Sequence, residues 1–159
     1  MAASATGRLA LMAIHPIYAS GILDGNKQVE FRKRSLAADV TVVLMYSTAP
    51  VQKIVGAFSI SETVIGGPQE IWEKFGDVGL IEQAKFDAYY EGSQCAVALV
   101  VDRTCRFDDG FPLNALTPSP ATPQSFSYLT SAQAASFCMQ MQGSTHAALF
   151  DTSALCGAN

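Results

Sequence analysis

The 159-residue chain lacks the features typical of membrane-spanning, secreted and zinc-binding proteins. It has no apolar run of the roughly 18 residues that a membrane helix needs, and no basic N-terminal region leading into an apolar stretch. It has only two histidines, His15 and His146, and no Cys-x-x-Cys pair, which argues against a structural metal site. We therefore expect a cytoplasmic protein without metal or membrane segment. Its cysteines should be reduced thiols, with Cys95 and Cys138 in the core.

Charge is also scarce, and it is unevenly distributed along the sequence. Charged residues make up 15% of the chain and its net charge is −4, which argues against a general polyanion binder. Segment 27–34 nevertheless has four basic residues and one acid, a net charge of +3 that leaves −7 on the rest of the chain. Positive charge concentrated in one place on an acidic protein is typical of a specific binding site.

Apolar patterns along the chain predict more strands than helices. Strands are predicted at 8–14, 28–34, 40–46, 53–60, 94–102 and 105–111, with a last short strand at 147–150. Helices are predicted at 16–24, 69–75, 80–90 and after a capping box at Thr130 and Gln133, and a proline-rich loop at 116–124. Because strands and helices do not alternate regularly, we expect an α+β fold, a small mixed β-barrel with peripheral helices. A single domain should cover 8–150, between a flexible tail at 1–7 and a C-terminal tail at 151–159.

The basic segment contains the pattern Gly-x-Lys-x-x-Glu-x-Arg, which begins at Gly25. Gly25 can end a helix sharply, which places Lys27 at the start of the next strand. The two-residue period of that strand puts Glu30, Arg32 and Arg34 on the face away from the core. Such a cluster can hold a polar ring, a base edge or a phosphate, and Lys27 and Glu30 are the candidate catalytic residues if the protein is an enzyme. Charges on one strand face are also commonly just solvated, so the pattern alone leaves both interpretations open.

Four residues outside the motif are further candidates for ligand binding. Tyr46 and Ser47 lie at the end of the neighbouring predicted strand, where they can border a cleft. Ser125 and Phe126 follow the proline-rich loop, and a loop phenylalanine can stack on a base. The simpler interpretation of both aromatic residues is that they fill the core. No nucleophile-elbow or phosphate-loop motif is present, and we expect no cofactor.

Several separated segments of the sequence together resemble the ASCH family of the PUA-like superfamily. They are an apolar strand at 9–14, Pro-Ile-Tyr-Ala at 16–19, the Gly-x-Lys-x-x-Glu-x-Arg motif at 25–32, the segments 46–51 and 53–56, and the segment 123–129. The similarity runs from about residue 8 to residue 142 in the order typical of the family. It implies a β-barrel with a cleft lined by the motif residues.

The resemblance also implies that the cleft binds RNA or a modified nucleoside. Some family members resemble amidohydrolases that remove an acyl group from a modified cytidine, and others look like ribonucleases. In the amidohydrolase branch a nucleophilic threonine, activated by the lysine, stands where this chain has Glu30. A carboxylate acting as general base on water would therefore have to replace that nucleophile here. A regulatory module that contacts another protein is the third alternative.

Overall fold

Six strands form one mixed sheet in the computed structural model of the protein, which describes residues 8–141. The strands are β1 (Leu9–Ile14), β2 (Val29–Arg32), β3 (Val42–Ser47), β4 (Lys53–Gly66), β5 (Ala96–Phe111) and β6 (Phe126–Tyr128). Their order in the sheet is β2-β5-β4-β3-β1-β6, in which β1 and β3 are parallel and the other neighbours are antiparallel. Four helices surround the sheet: α1 (Pro16–Asp24), α2 (Pro68–Phe75), α3 (Gln83–Tyr89) and α4 (Ser131–Met141). The predicted α+β fold, a mixed barrel with peripheral helices, is confirmed.

The two edge strands of the sheet, β2 and β6, are joined by side chains. No backbone ladder pairs them within residues 8–141. Instead, Arg32 at the end of β2 donates hydrogen bonds to the Ser125 hydroxyl beside β6 and to the Ala13 carbonyl of β1. Further along, the Tyr128 hydroxyl accepts a hydrogen bond from the Ala37 amide. We call this junction between β2 and β6 the seam, and it connects the two edges of the curled, half-barrel sheet by side chains.

Three apolar clusters pack against the sheet and its helices. One lies under α4, where Phe137 packs with Leu11, Leu44 and Phe107. A second joins α2 and α3 to β2 and the start of β5. The third links α1 to residues of β1, β3, β4 and β5, including Met12, Met45, Phe58, Val97 and Leu99. Burial of these side chains is the main favourable contribution to folding.

The structure differs from the sequence prediction at three places in the sheet. The segments 94–102 and 105–111 form one continuous strand, β5, because the strand runs on through the exposed residue Arg103, where its pairing with β4 shifts in register but resumes. Strand β4 continues to Gly66, six residues beyond the predicted end. Strand β6 was not predicted, since its three residues are held by pairing with β1 and have no periodicity of their own.

Other local predictions have mixed outcomes. The capping box at the start of α4 is confirmed, because Thr130 and Gln133 bond each other's backbone amides through their side chains. Cys138 is buried as expected, but it is disulfide-bonded, so the expectation of reduced thiols is wrong there. The expected core position of Cys95 is also wrong: this free cysteine is exposed just before β5 begins.

The predicted tails and the predicted strand at 147–150 lie outside the described residues. Within 8–141, no helix is both long and apolar enough to cross a membrane.

Candidate functional site

The turn between α1 and β2 places Lys27 at the base of a cleft. Gly25 ends α1 with φ 84°, a left-handed conformation that glycine adopts without strain. The Lys27 amide then donates to the Gly21 carbonyl, and the Gln28 amide donates to the Val78 carbonyl. These backbone bonds direct the Lys27 side chain back under α1 before β2 begins.

Lys27, Glu30 and Arg32, which we call the charged trio, form one connected ionic group. The Lys27 Nζ lies 3.6 Å from Glu30 Oε1, and the Arg32 guanidinium lies 3.1 Å from Glu30 Oε2. One carboxylate therefore faces two cations, one on each oxygen. The trio has a net charge of +1, which favours an anionic or electron-rich ligand.

The charged trio is buried, so the interpretation of a solvated strand face is wrong. The side chains of Lys27, Glu30 and Arg32 are 3%, 7% and 11% exposed. The reason is that Glu30 and Arg32 stand opposite Leu99 and Val97 of β5, and directly opposed residues share a face. That face is part of the apolar cluster beneath α1. Buried charges without full pairing are costly, which makes this location unusual for a purely structural cluster.

The Lys27 ammonium is surrounded by the protein on several sides. It donates a hydrogen bond to the Gly79 carbonyl, and it lies 4.9 Å from the ring centre of Tyr18 and 5.2 Å from that of Phe31. Burial lowers the pKa of Lys27 from its ordinary value, and the neighbouring carboxylate of Glu30 opposes this shift in part. Lys27 thus also holds the loop before α3 in place. Residues of this loop and of α3 form one wall of the cleft.

A cavity of about 190 Å³ opens beside the charged trio, and we call it the β2 cavity. It is lined by Ala13, Ile14, His15, Tyr18, Lys27, Glu30, Phe31, Arg32, Ile81, Phe86 and Tyr89. Its walls are mainly apolar and aromatic, while the polar groups converge at one side. This composition is typical of a small-molecule binding site.

Arg32 connects the β2 cavity to the seam. One of its terminal nitrogens contacts Glu30 and the Ala13 carbonyl, and the other donates to the Ser125 hydroxyl. Its backbone carbonyl accepts a hydrogen bond of 2.8 Å from the Tyr90 hydroxyl. The Arg32 Nε is buried and has no hydrogen-bond partner in the described part of the chain. Ser125 is therefore placed at the site through Arg32 and does not line the cavity itself.

The remaining predicted site residues lie at different distances from the cavity. Arg34 is exposed and its guanidinium lies 5.1 Å from the ring centre of Phe126, across the seam. Ser47 is buried beside Ile14, its partner in the parallel ladder, which lines the cavity. Tyr46 belongs to the apolar cluster under α4, on the other face of β3. None of these four lines the β2 cavity, and their roles in binding stay predictions.

The sequence alone does not show that several of the cavity residues lie together. Tyr18 follows Pro16 in α1, and its proximity to Lys27 depends on how α1 ends. Phe86 and Tyr89 come from α3, which lies more than 50 residues after the motif in the sequence. Only the Pro-Ile-Tyr-Ala segment, as a feature of the family resemblance, pointed to Tyr18, and no local signal pointed to α3.

The sequence of the chain is similar to those of several curated proteins. No family model matches the chain. The large ribosomal subunit protein uL22 of Ureaplasma parvum is 34% identical over 106 residues, which are 67% of this chain and 34% of that protein. The chain thus spans about a third of the length of the first curated relatives it matches. An ASCH domain-containing ribonuclease of Zymomonas mobilis is 29% identical over 93 residues, which are 58% of this chain and 63% of that protein.

Solved structures of the Zymomonas mobilis ASCH protein have the same fold. A serine-to-alanine mutant superposes with a TM-score of 0.76 and 22% identity, over 83% of this chain and 95% of the other. The protein without a named mutation gives a TM-score of 0.70 and 23% identity, over 82% and 94% of the two chains. A tyrosine-to-phenylalanine mutant is 25% identical, with a TM-score of 0.67, over 79% and 92% of the two chains.

Proposed function

Since the chain is an ASCH-type domain by fold and by sequence similarity, we propose that its β2 cavity binds one nucleobase of RNA or of a modified nucleoside. The observation that carries this proposal is the buried charged trio at one side of a small aromatic cavity. A nucleobase is a flat ring with a polar edge, and such a ring matches apolar walls that end in charged hydrogen-bonding groups.

The residue types of the β2 cavity support a base rather than a purely apolar ligand. Arg32 offers planar N–H donors and Glu30 offers acceptors, so together they can bond both kinds of group on a base edge. The rings of Tyr18, Phe31 and Tyr89 line the same space and can contact the base face. Lys27 adds a fixed positive charge beside the carboxylate.

The size of the cavity limits what it can enclose. Its volume of about 190 Å³ is below the range of about 300–1,000 Å³ of sites for drug-sized ligands. A single ring therefore fits inside, and a sugar or phosphate attached to it would lie at the mouth. This agrees with recognition of an unstacked base rather than a duplex, whose bases are paired and covered.

Calorimetry with ribonucleosides, acylated cytidines and short RNAs tests this proposal. We expect Lys27→Met and Tyr89→Ala each to weaken binding about tenfold or more, because each removes one wall or charge of the cavity. Tyr89 is 38% exposed, so its replacement should leave the fold intact. Arg106→Ala, which removes one exposed charge away from the cavity, is the matched control and should bind like the parent. Unchanged binding in both cavity variants would refute the proposal.

A second candidate function is hydrolysis at the same site. It is favoured by the position of Glu30, whose carboxylate lies beside the Lys27 ammonium and lines the cavity, and the Zymomonas mobilis relative is named a ribonuclease. In this mechanism Glu30 accepts a proton from the attacking hydroxyl or water, and Lys27 stabilises the negative charge that develops on the reacting group. The bond broken would be a phosphodiester or an acyl amide, and Glu30 would return its proton to the leaving oxygen or nitrogen.

Glu30→Gln separates binding from hydrolysis. The amide has nearly the same shape but does not act as a base, so turnover should disappear in product analysis if Glu30 has this role. Ligand binding should persist in the same variant, though more weakly than in the parent, since Lys27 and Arg32 remain and the amide keeps one acceptor oxygen. Full turnover by Glu30→Gln would exclude this mechanism. Binding without products in the parent protein would leave a recognition module.

A further inference from the structure

Two exposed cations, Lys33 and Arg34, follow β2 directly, next to Arg32 of the charged trio. The Lys33 Nζ lies 4.9 Å from the ring centre of Tyr89, a residue that lines the cavity. The Arg34 guanidinium lies 5.1 Å from the ring centre of Phe126, which follows the Arg32 partner Ser125. We call Lys33 and Arg34 the rim cations, because they lie on the α3 side and the β6 side of Arg32.

The rim cations differ from the two paired surface arginines in what holds them. Arg8 is paired with Asp39 and Arg106 with Asp24. Neither Lys33 nor Arg34 forms an ion pair with any residue among 8–141, and each is instead held over an aromatic ring. Because a ring does not neutralise the charge, both cations stay available to an anion from solution.

The rim cations also account for the concentration of positive charge in the sequence. Within the charged trio, Glu30 neutralises one of two cations, so the trio itself has a net charge of only +1. Lys33 and Arg34 raise the net charge of the segment to +3, and they do so on the outside of the cavity. This places positive charge on the exposed side of Arg32, where it can attract the phosphates of a nucleotide whose base is enclosed.

We propose that Lys33 and Arg34 bind the phosphates on either side of a base held in the β2 cavity, so that the ligand is a single-stranded oligonucleotide rather than a free nucleoside. This inference rests on the proposed function of that cavity. Arg34 has a planar fork that can bind two phosphate oxygens, and Lys33 acts as a point charge. The ring of Phe126, which lies outside the cavity, offers a surface on which a neighbouring base can stack.

The experiment compares ribonucleosides, their 3′- and 5′-monophosphates and a four-nucleotide RNA by calorimetry at several salt concentrations. We expect the monophosphates to bind roughly tenfold more tightly than the nucleosides. The tetranucleotide should bind more tightly still. In the double variant Lys33→Gln/Arg34→Gln this gain in affinity over the nucleosides should disappear, while the nucleosides themselves should bind as tightly as before. The salt dependence of tetranucleotide binding should fall by about 0.7 in log–log slope for each lost phosphate contact.

The matched control is Lys74→Gln/Arg103→Gln, which removes two exposed cations that do not line the cavity. It should keep both the gain and the salt slope. Equal affinity for nucleosides and monophosphates, or a gain that survives in the Lys33/Arg34 variant, would overturn this inference while leaving the cavity proposal intact. Oligonucleotide binding that Tyr89→Ala leaves unchanged would instead count against the cavity proposal.

Discussion

The ion pairs of this protein lie in two regions. These regions differ much more in the burial of the side chains than in the distance between the paired atoms. On the surface, Arg106 contacts Asp24 at 2.6 Å, and both side chains are 52% exposed. In the charged trio the contacts are longer, 3.1 and 3.6 Å, but no side chain is more than 11% exposed. Short distances in water contribute little because solvent and salt screen them, whereas a longer contact in a buried site acts through a lower dielectric.

The comparison indicates why the charged trio is present. A buried ion cluster is weak evidence of stability, because apolar side chains of the same volume often stabilise a fold at least as well. The apolar cluster under α4 illustrates that alternative, since Leu11, Leu44 and Phe137 fill it without any charge. Stability alone therefore does not explain the trio, which is consistent with the ligand site proposed above, and the following substitutions test the contrast between the two regions.

The largest effect on stability is expected for Glu30→Ala. This change leaves the buried cations Lys27 and Arg32 facing each other without their carboxylate, which should lower the free energy of unfolding by about 3–5 kcal/mol. Urea denaturation measures it, with Asp24→Ala as the matched removal of an exposed paired acid. A loss below about 1 kcal/mol would mean that the trio behaves like a surface pair.

A smaller loss is expected for Gly79→Ala. A methyl group at this position would overlap the ring of Phe31, which requires the ring or the loop to move. Overpacking of this kind lowers stability by about 1–3 kcal/mol. The same movement should weaken ligand binding, because the Gly79 carbonyl holds Lys27. Normal binding in a destabilised Gly79→Ala protein would show that the loop does not position the ammonium.

The charged trio should also give stability a dependence on alkaline pH. Burial lowers the pKa of Lys27 in the folded state, so between that pKa and the ordinary value of about 10.4 the unfolded chain binds more protons. The free energy of unfolding should therefore rise as pH increases through this window. Lys27→Met should lack the rise, so the difference between the two proteins isolates it.

The pH measurement should stay below the range in which tyrosines ionise. Burial raises the pKa of Tyr89 in the folded state. Above about pH 10 the unfolded chain therefore loses this proton first, and stability falls. A pH dependence that is identical in the parent and Lys27→Met proteins would contradict the assignment to Lys27.

The smallest effect is expected for Arg106→Ala. Exposed pairs contribute about 0–1 kcal/mol, so thermal and urea unfolding should change little. A loss as large as that of Glu30→Ala would remove the distinction between the two regions. High salt gives an independent check, because it should weaken the surface pair and leave the buried trio nearly unaffected.

The sequence predicted the elements best where local signals agree. The start of α1 at Pro16 and its end before Gly25 follow from the helix rules for these two residues, and the capping box located the start of α4. Strand β6 was not predicted, because its pairing with β1 alone defines it. The family resemblance implied the barrel that these local rules do not specify, and the structural neighbours confirm that fold.

The candidate site was predicted in its residues but not in its environment. The motif named Lys27, Glu30 and Arg32, and the structure brings these three together. Their burial could not be inferred, because it depends on β5 standing beside β2 and on α3 covering the cleft. Both contacts join segments far apart in the chain, and a two-residue period does not tell which face of a strand is covered.

The seam between β2 and β6 links the evolution of the proposed ligand site to that of the fold. Arg32 both contacts Glu30 in the β2 cavity and bonds Ser125 and Ala13 on the far side of the seam. A substitution of Arg32 that alters the cavity therefore also removes the side chain that connects the two edges of the sheet. New specificities should then arise more readily by changes at the surrounding wall, such as Tyr89, than at the arginine itself.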